Sequence, residues 1–313
     1  MKQYLLASLF AGAVALPAMA DYTIIAPANP GGGWDQTART MQTVMQEDGI
    51  SPSVQVQNVP GAGGTIGLAQ FASQNKGNDQ ALIVGGYVMV GAILTNNSPV
   101  SLKDVTPIAR LTGEYEAIVV PAASPIQDMA GLIEALKADP GAVSWAGGSA
   151  GGTDHIAVGL IAKAAGVDPT KINYIAYSGG GEALAAILGN QVTAGVSSVG
   201  EFDAQVKAGT LRLLAVSAPE RIEGVEAPTL KESGLDVELQ NWRMVAAAPG
   251  LSDEQKAKVS ADIEKMVKSE NWQKQLADKG WSDTYLSGAD FDAQLAKDEA
   301  ATSAVLKDIG LVK

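Results

Sequence analysis

The sequence predicts an α/β protein with mostly parallel sheet, laid out as two successive α/β groups and a helical tail. Three observations lead there. Short β-branched or apolar runs alternate with amphipathic stretches of about ten to fifteen residues, the pattern of strands joined by crossover helices. Several of those runs empty into glycine-rich loops before the next helix begins. Beyond "NWRMVAAAP" the chain carries charged faces at helical spacing, with "DTYL" as its one strand-like stretch.

Taken in order, "YTIIAP" is the first strand, and it runs into "PGGGWDQTARTM". A helix starting near Asp35 follows, in which Trp34, Ala38, Met41 and Met45 fall on one stripe. "SVQVQN" is the second strand, with "NVPGAGGTIG" and a helix from Thr65 after it; "ALIVGG" is the third, turning at "VGGY". The second group comprises "EAIVVP", "VSWAGG", "INYIAY", "VTAGVS" and "LRLLAVSA", with helices between them. The stretches at 119–125 and around Arg243 are the expected crossings between the groups, and two α/β lobes leave a cleft where the carboxyl ends of their strands face each other.

The first twenty residues, "MKQYLLASLFAGAVALPAMA", combine Lys2, an apolar run too short for a bilayer, and Ala18-Met19-Ala20 ahead of Asp21. They read as a cleaved secretory signal, so an exported, periplasmic chain is expected. No later segment has the roughly 18 apolar residues of a membrane helix. The chain has no cysteine and a single histidine, His155, which removes disulfides, thiolate chemistry and the usual zinc sites, and no metal or cofactor is expected. A net charge of -12 argues against nucleic acid and anionic membranes as partners. It also means that any anionic ligand has to be held by local donors.

The glycine loops supply such donors. Gly31, Gly32 and Gly33 precede Trp34 and Asp35; Pro60, Gly61, Ala62, Gly63 and Gly64 precede Thr65; Gly86 ends the third strand. In the second group Ser149, Ala150, Gly151, Gly152 and Thr153 lie in "AGGSAGGTD", and Ser178 and Gly179 in "YSGGGEAL". Glycines let a ligand approach the main chain, and the first turn of a helix presents unpaired N–H groups with partial positive charge. Each charge-assisted hydrogen bond from such a donor is worth about 1.5–3 kcal/mol, so several hold a carboxylate without an arginine. Tight helix–sheet packing explains any one loop equally well; recurrence in both halves favours anion binding.

Related motifs fail on inspection. None of the loops ends in the Gly-Lys-Ser/Thr of a phosphate loop, and Ile66 stands where a dinucleotide fingerprint needs its third glycine. Gly147-Gly148-Ser149-Ala150-Gly151 fits the nucleophile elbow of a serine hydrolase, the alternative reading, but the lone histidine lies six residues on in the adjoining helix. Asp35 reads as an organiser of its loop, Trp34 as core or lid, and His155 as a packing residue. Glu182 reads as a first-turn carboxylate. Among Arg39, Arg110 and Arg243, the last is the best charged ligand contact, a structural ion pair being the other reading.

In order and spacing, "PGGGWDQTAR", "NVPGAGGTIG", "GGSAGGTDHIAVGLIAKAAGV", "YSGGGEALAAILGNQV", "KAGTLRLLAVSAPER" and "APTLKESG" resemble the extracytoplasmic solute-binding subunits of tripartite tricarboxylate transporters, the TctC or Bug family. The resemblance spans nearly the whole mature chain. It implies a bilobal, type II-like Venus-flytrap binding protein and not an enzyme, with residues 21–121 plus 246–313 in one lobe and 122–245 in the other. It also implies that the loops at Gly31–Asp35 and Pro60–Thr65 act as pincers on a ligand carboxylate through main-chain amides and ordered water, and that the loop at 149–153, with Ser178 and Gly179, closes from the other side. A monomer delivering a di- or tricarboxylate to a permease of large and small subunits is the implied role, a sensor being the other recipient. Many members carry Thr in place of Trp34, and an acid where this chain has Thr193, a loss that points away from amino-acid ligands.

Overall fold

The computed structural model describes residues 21–177 and 180–313, so the expected signal at 1–20 and the positions of Ser178 and Gly179 lie outside the described residues. The first group is β1 (Tyr22–Ala26), α1 (Gly33–Glu47), β2 (Val54–Asn58), α2 (Thr65–Gln74), β3 (Ala81–Gly86) and α3 (Tyr87–Thr95). β4 (Thr106–Pro121) leads to α4 (Met129–Ala138), β5 (Ser144–Gly147), α5 (Thr153–Ala164), β6 (Asn173–Ala176), α6 (Gly180–Leu188), β7 (Ala194–Ser198), α7 (Val199–Lys207) and β8 (Leu211–Val216). β9 (Gln240–Ala247), α8 (Asp253–Val267), α9 (Glu270–Lys279), β10 (Ser282–Ser287) and α10 (Gly288–Asp308) complete the chain.

The strands run in the order β2-β1-β3-β9-β4-β7-β5-β6, with β8 and β10 also paired to β4. Each flank is parallel: β1 with β2 and β3, and β5 with β6 and β7. The middle is antiparallel, because β9 pairs with β3 and β4, and β4 with β7, β8 and β10. The sheet is therefore mixed and not mostly parallel; returning strands at a crossing run against the strands they join. The two halves share one plan, with β2-β1-β3 closed by β9 and β6-β5-β7 closed by β4.

β4 belongs to both halves. Its residues up to Tyr115 pair with β9, whereas Glu116 and those after it pair with β7 and β8. Ser217 stitches this point: its Oγ accepts from the Glu116 amide at 2.8 Å and donates to the Leu239 carbonyl at 2.6 Å. Its own amide donates to the Glu116 carbonyl at 2.8 Å. The main core runs from the first half, with Met41, Phe71, Leu82 and Trp272, into the second, with Leu132, Trp145 and Ile156, and a smaller one in the second half is built on Val119, Ile187, Phe202 and Leu211. Among the described residues no helix is long and apolar enough to cross a membrane.

Candidate functional site

β1 hands over to α1 through a loop held by its own aspartate. Asp35, 2% exposed, accepts from the Gly31 amide at 2.8 Å, from Asn58 Nδ2 at 2.8 Å and from Arg39 Nε at 2.9 Å. Burial pushes this carboxyl up, but Arg39, the Gly31 amide and Asn58 outweigh it and hold it below the usual carboxylate range. Gly32 donates to the Asn29 carbonyl, and the first helical bond runs from Gln36 to Gly32. The amides of Gly33, Trp34 and Asp35 therefore open the helix without an intrahelical acceptor.

The second loop is a run of left-handed backbone: φ is 128° at Gly61, 48° at Ala62, 60° at Gly63 and 89° at Gly64. Such a run is accessible at low cost only where Cβ atoms are mostly absent. Thr65 Oγ1 and Asn96 Nδ2 both donate to the Ala62 carbonyl, at 2.9 and 3.0 Å, and fix the turn. Trp34 is buried against Gly64, where a Cβ would approach its ring to 2.6 Å, so the tryptophan joins the two loops from inside. Pro60 stays exposed at the tip. Gly86 serves packing: a Cβ there would run into the Trp242 carbonyl of β9.

In the second half, Gly148 is held at both ends. Its amide donates to Asp154 Oδ2 at 2.6 Å, and its carbonyl accepts from Tyr174 Oη at 2.8 Å. The Gly151 amide donates to His155 Nδ1 at 3.3 Å, and the imidazole stacks on Tyr174 with centroids 4.0 Å apart and planes 7° apart. Burial pushes His155 down to about 4, so the ring is neutral and free to accept. The first helical bond runs from Ile156 to Gly152, which leaves the Thr153 and His155 amides at the helix start without an intrahelical acceptor. Thr153 Oγ1 is buried and has no hydrogen-bond partner among the described residues.

The loops form one contiguous surface. Gly63 backs onto Ala92 of α3, and the neighbouring Gly91 lies directly against the Gly151 carbonyl from the other half. Gly151 itself packs on Thr95, and a Cβ on Gly152 would stand 3.3 Å from Val88. The start of α5 thus rests on α3 of the first half, and the N-termini of α1, α2 and α5 gather at the carboxyl ends of β1, β2 and β5. This is where open α/β sheets bind ligands.

Behind the loops lies a buried charged group. Arg243 on β9 is ion-paired to Glu114 on β4, sits against Gly33, and has its guanidinium 5.3 Å from the centroid of the Trp281 ring. Trp281 Nε1 donates to Glu114 Oε1 at 3.0 Å. Arg243 Nη1 is buried with no partner among the described residues, and the Nη2 side of the guanidinium lies against Gly33 at the base of the α1 loop. Arg243 thus makes a structural ion pair and still keeps a spare donor. Glu116, Asp154 and Glu201 crowd the same region.

The family model for the tripartite tricarboxylate transporter family receptor, TctC, matches residues 37–311. The chain belongs to this family. It is 28% identical to a TctC solute binding protein from Polaromonas, with a TM-score of 0.69 over 91% of this chain and 97% of that one. Two structures share the fold at lower identity: MatC from Rhodopseudomonas palustris with bound malate (23%, TM-score 0.76, covering 92% and 98%) and an R. palustris protein with adipate (22%, TM-score 0.83, covering 92% and 97%). The bilobal binding-protein fold and the non-enzymatic class follow from this match.

Several expected positions lie elsewhere. Arg110 donates to the Thr284 carbonyl between β4 and β10, away from the loops. Thr193 shares hydrogen bonds with Ser144 at the amino ends of β5 and β7, the far edge from the loops, so an acid missing there says nothing about the ligand. Glu182 is exposed in the first turn of α6. Ser149 is half-buried, and the lone imidazole is committed to Gly151 and Tyr174, which leaves no base for a hydrolase. Reading the sequence missed Tyr174, Glu114, Glu116 and Glu201. The available signal was "GEYEAIVV", two acids alternating into an apolar strand with no lysine nearby.

Proposed function

We propose that the chain is a periplasmic solute-binding protein that captures a di- or tricarboxylate between its lobes and delivers it to a tripartite transporter permease. The observation that carries the reading is the gathering of α1, α2 and α5 N-termini around α3, with Arg243 Nη1 and Thr153 Oγ1 as buried donors beside them. One carboxylate is assigned to the Gly33 and Trp34 amides with the Gly61–Gly64 turn. The other end is assigned to Ser149, Ala150 and the Thr153 amide and hydroxyl. Family membership and the malate and adipate held by fold relatives agree with an organic acid of this kind.

In this reading the lobes hinge where β4 passes from Tyr115 to Glu116 and where the chain returns between Ser217 and Gln240. Closure around the ligand is what the permease would recognise. A thermal-shift series of residues 21–313 against malate, adipate, succinate, citrate, aspartate and benzoate tests it. An acid at about 100 times its dissociation constant stabilises the fold by about 2.7 kcal/mol, several degrees at this size. A shift confined to malate, adipate, succinate or citrate is expected, and a shift only with the amino acid aspartate or the monoacid benzoate would replace the proposed ligand class.

A further inference from the structure

Glu116 is fully buried (0% exposed) in β4 at the crossing between the lobes, and no donor among the described residues reaches either of its oxygens. Asp154 approaches from α5, Glu201 from α7, Glu114 from its own strand and Arg243 from β9, while Tyr174 on β6 feels both Glu116 and Asp154. Three carboxylates and one guanidinium thus face Glu116, and the guanidinium is already paired to Glu114. Glu201 is occupied by Ser197 Oγ at 2.7 Å. An ionised Glu116 would be a buried charge with no compensation, which costs several kcal/mol. As a neutral acid it has one use for its proton, a hydrogen bond to the carboxylate of Asp154.

We propose that Glu116 and Asp154 share one proton in mild acid, and that at higher pH, where the free pair has lost it, capture of a carboxylate at the α5 loop draws that proton back from solvent. The second half of this inference rests on the carboxylate reading above; the first half does not. The coupling is structural. Asp154 Oδ2 holds the Gly148 amide, and Thr153, the adjacent residue, opens α5 with a free amide and hydroxyl. An anion seated there is repelled by an ionised pair beneath it and tolerated by a pair carrying one proton. The proton comes from the buffer, so the complex has one negative charge fewer than the sum of its parts. Burial pushes Asp154 up to about 7 against the opposing Gly148 amide, which puts uptake in the neutral range. The sign follows: affinity is highest in mild acid and declines by up to about tenfold per pH unit above that range, as one-proton linkage requires.

Two measurements on residues 21–313 test the two halves separately. Infrared spectra of the unliganded protein in mild acid should show the carbonyl stretch of a protonated buried carboxyl, lost in Glu116→Gln and moved in Asp154→Asn. Its absence from the unsubstituted protein overturns the shared proton. Calorimetric titration with malate and adipate at pH 8, in buffers of different ionisation heat, should show uptake approaching one proton that falls away in mild acid, and Glu116→Gln should bind without uptake and without the decline at high pH. Binding with no buffer dependence overturns the coupling while leaving the carboxylate reading intact. No binding of either acid, nor of citrate, overturns the carboxylate reading and the coupling with it, and the infrared band still decides whether the proton is shared.

Discussion

Asp35 and Asp154 occupy equivalent places in the two halves. Each follows a Gly-Gly-containing loop, each opens the helix after the first strand of its group, and each turns back to hold a loop amide, Gly31 or Gly148. Their surroundings differ. Asp35 has Arg39 and Asn58 beside it and is held below the usual carboxylate range, whereas Asp154 has Glu116 and Glu201 beside it and is pushed up to about 7 by burial. The same local device thus gives a permanently charged brace in the first lobe and a titrating one in the second. Loop geometry is set by neighbours in sequence, and charge state by neighbours in space.

The largest break in that comparison comes from removing the cation that serves both sides. Arg243→Met leaves Glu114 buried with only Trp281 as donor, and should cost about 3–5 kcal/mol in urea denaturation. A cost under about 1 kcal/mol would mean that the ion pair does not hold the crossing together. Next, Gly91→Ala places a methyl group against the Gly151 carbonyl where the two lobes meet. The methyl would run into a main-chain oxygen, so the two halves must shift apart to admit it: the melting temperature should fall, and binding of the acid found by thermal shift should weaken at least about tenfold. Unchanged affinity would show that the lobes need not approach at that point.

Exchanging each aspartate for asparagine sharpens the contrast through pH. The lowered Asp35 carboxyl contributes stability above its ordinary value of 3.8, which is lost as pH falls through its folded value. Asp35→Asn should therefore cost about 1–2 kcal/mol at neutral pH, after discounting for the half-exposed Arg39, and little in acid. The raised Asp154 carboxyl contributes stability in acid that disappears as pH rises through about 7. Asp154→Asn should therefore be most costly in acid and near neutral or stabilising at pH 8. Melting curves from acid to mildly alkaline pH would show crossing slopes, and parallel slopes would end the distinction. The smallest effect is that of His155→Phe, which keeps the ring on Tyr174 but removes the acceptor for the Gly151 amide, at about 1 kcal/mol in the same melts.

Most strands and the glycine loops were legible because their signals are local. "YTIIAP", "SVQVQN" and "ALIVGG" are apolar or alternating runs that end at turn residues, and the structure places β1, β2 and β3 on them. β4 was legible only from "EAIVVP" onward. Its first ten residues, "TPIARLTGEY", interrupt the apolar pattern with Arg110 and Glu114, which the fold pairs with β10 and with Arg243. The mixed sheet was illegible for a related reason, since strand direction at the crossing depends on where β9 returns. Asp35 could be recognised as a loop organiser because its partners lie within a few residues or on the next strand. Glu116 could not, because the groups facing it come from α5, α7 and β9.

The shared strand also has a consequence for the order of assembly. β3 pairs with β9 on the side away from β1, so its edge stays open after synthesis until Gln240–Ala247 arrives, with the whole second half made in between. The strand that covers this edge is thus encoded after the second sheet is complete. Such non-local closure slows folding, because the loop entropy is spent before the contacts form. A nascent chain of this topology stays unlatched until more than three-quarters of its length has been made, and a fragment ending at β8 would carry an exposed apolar edge at β3 with a tendency to pair with a second copy.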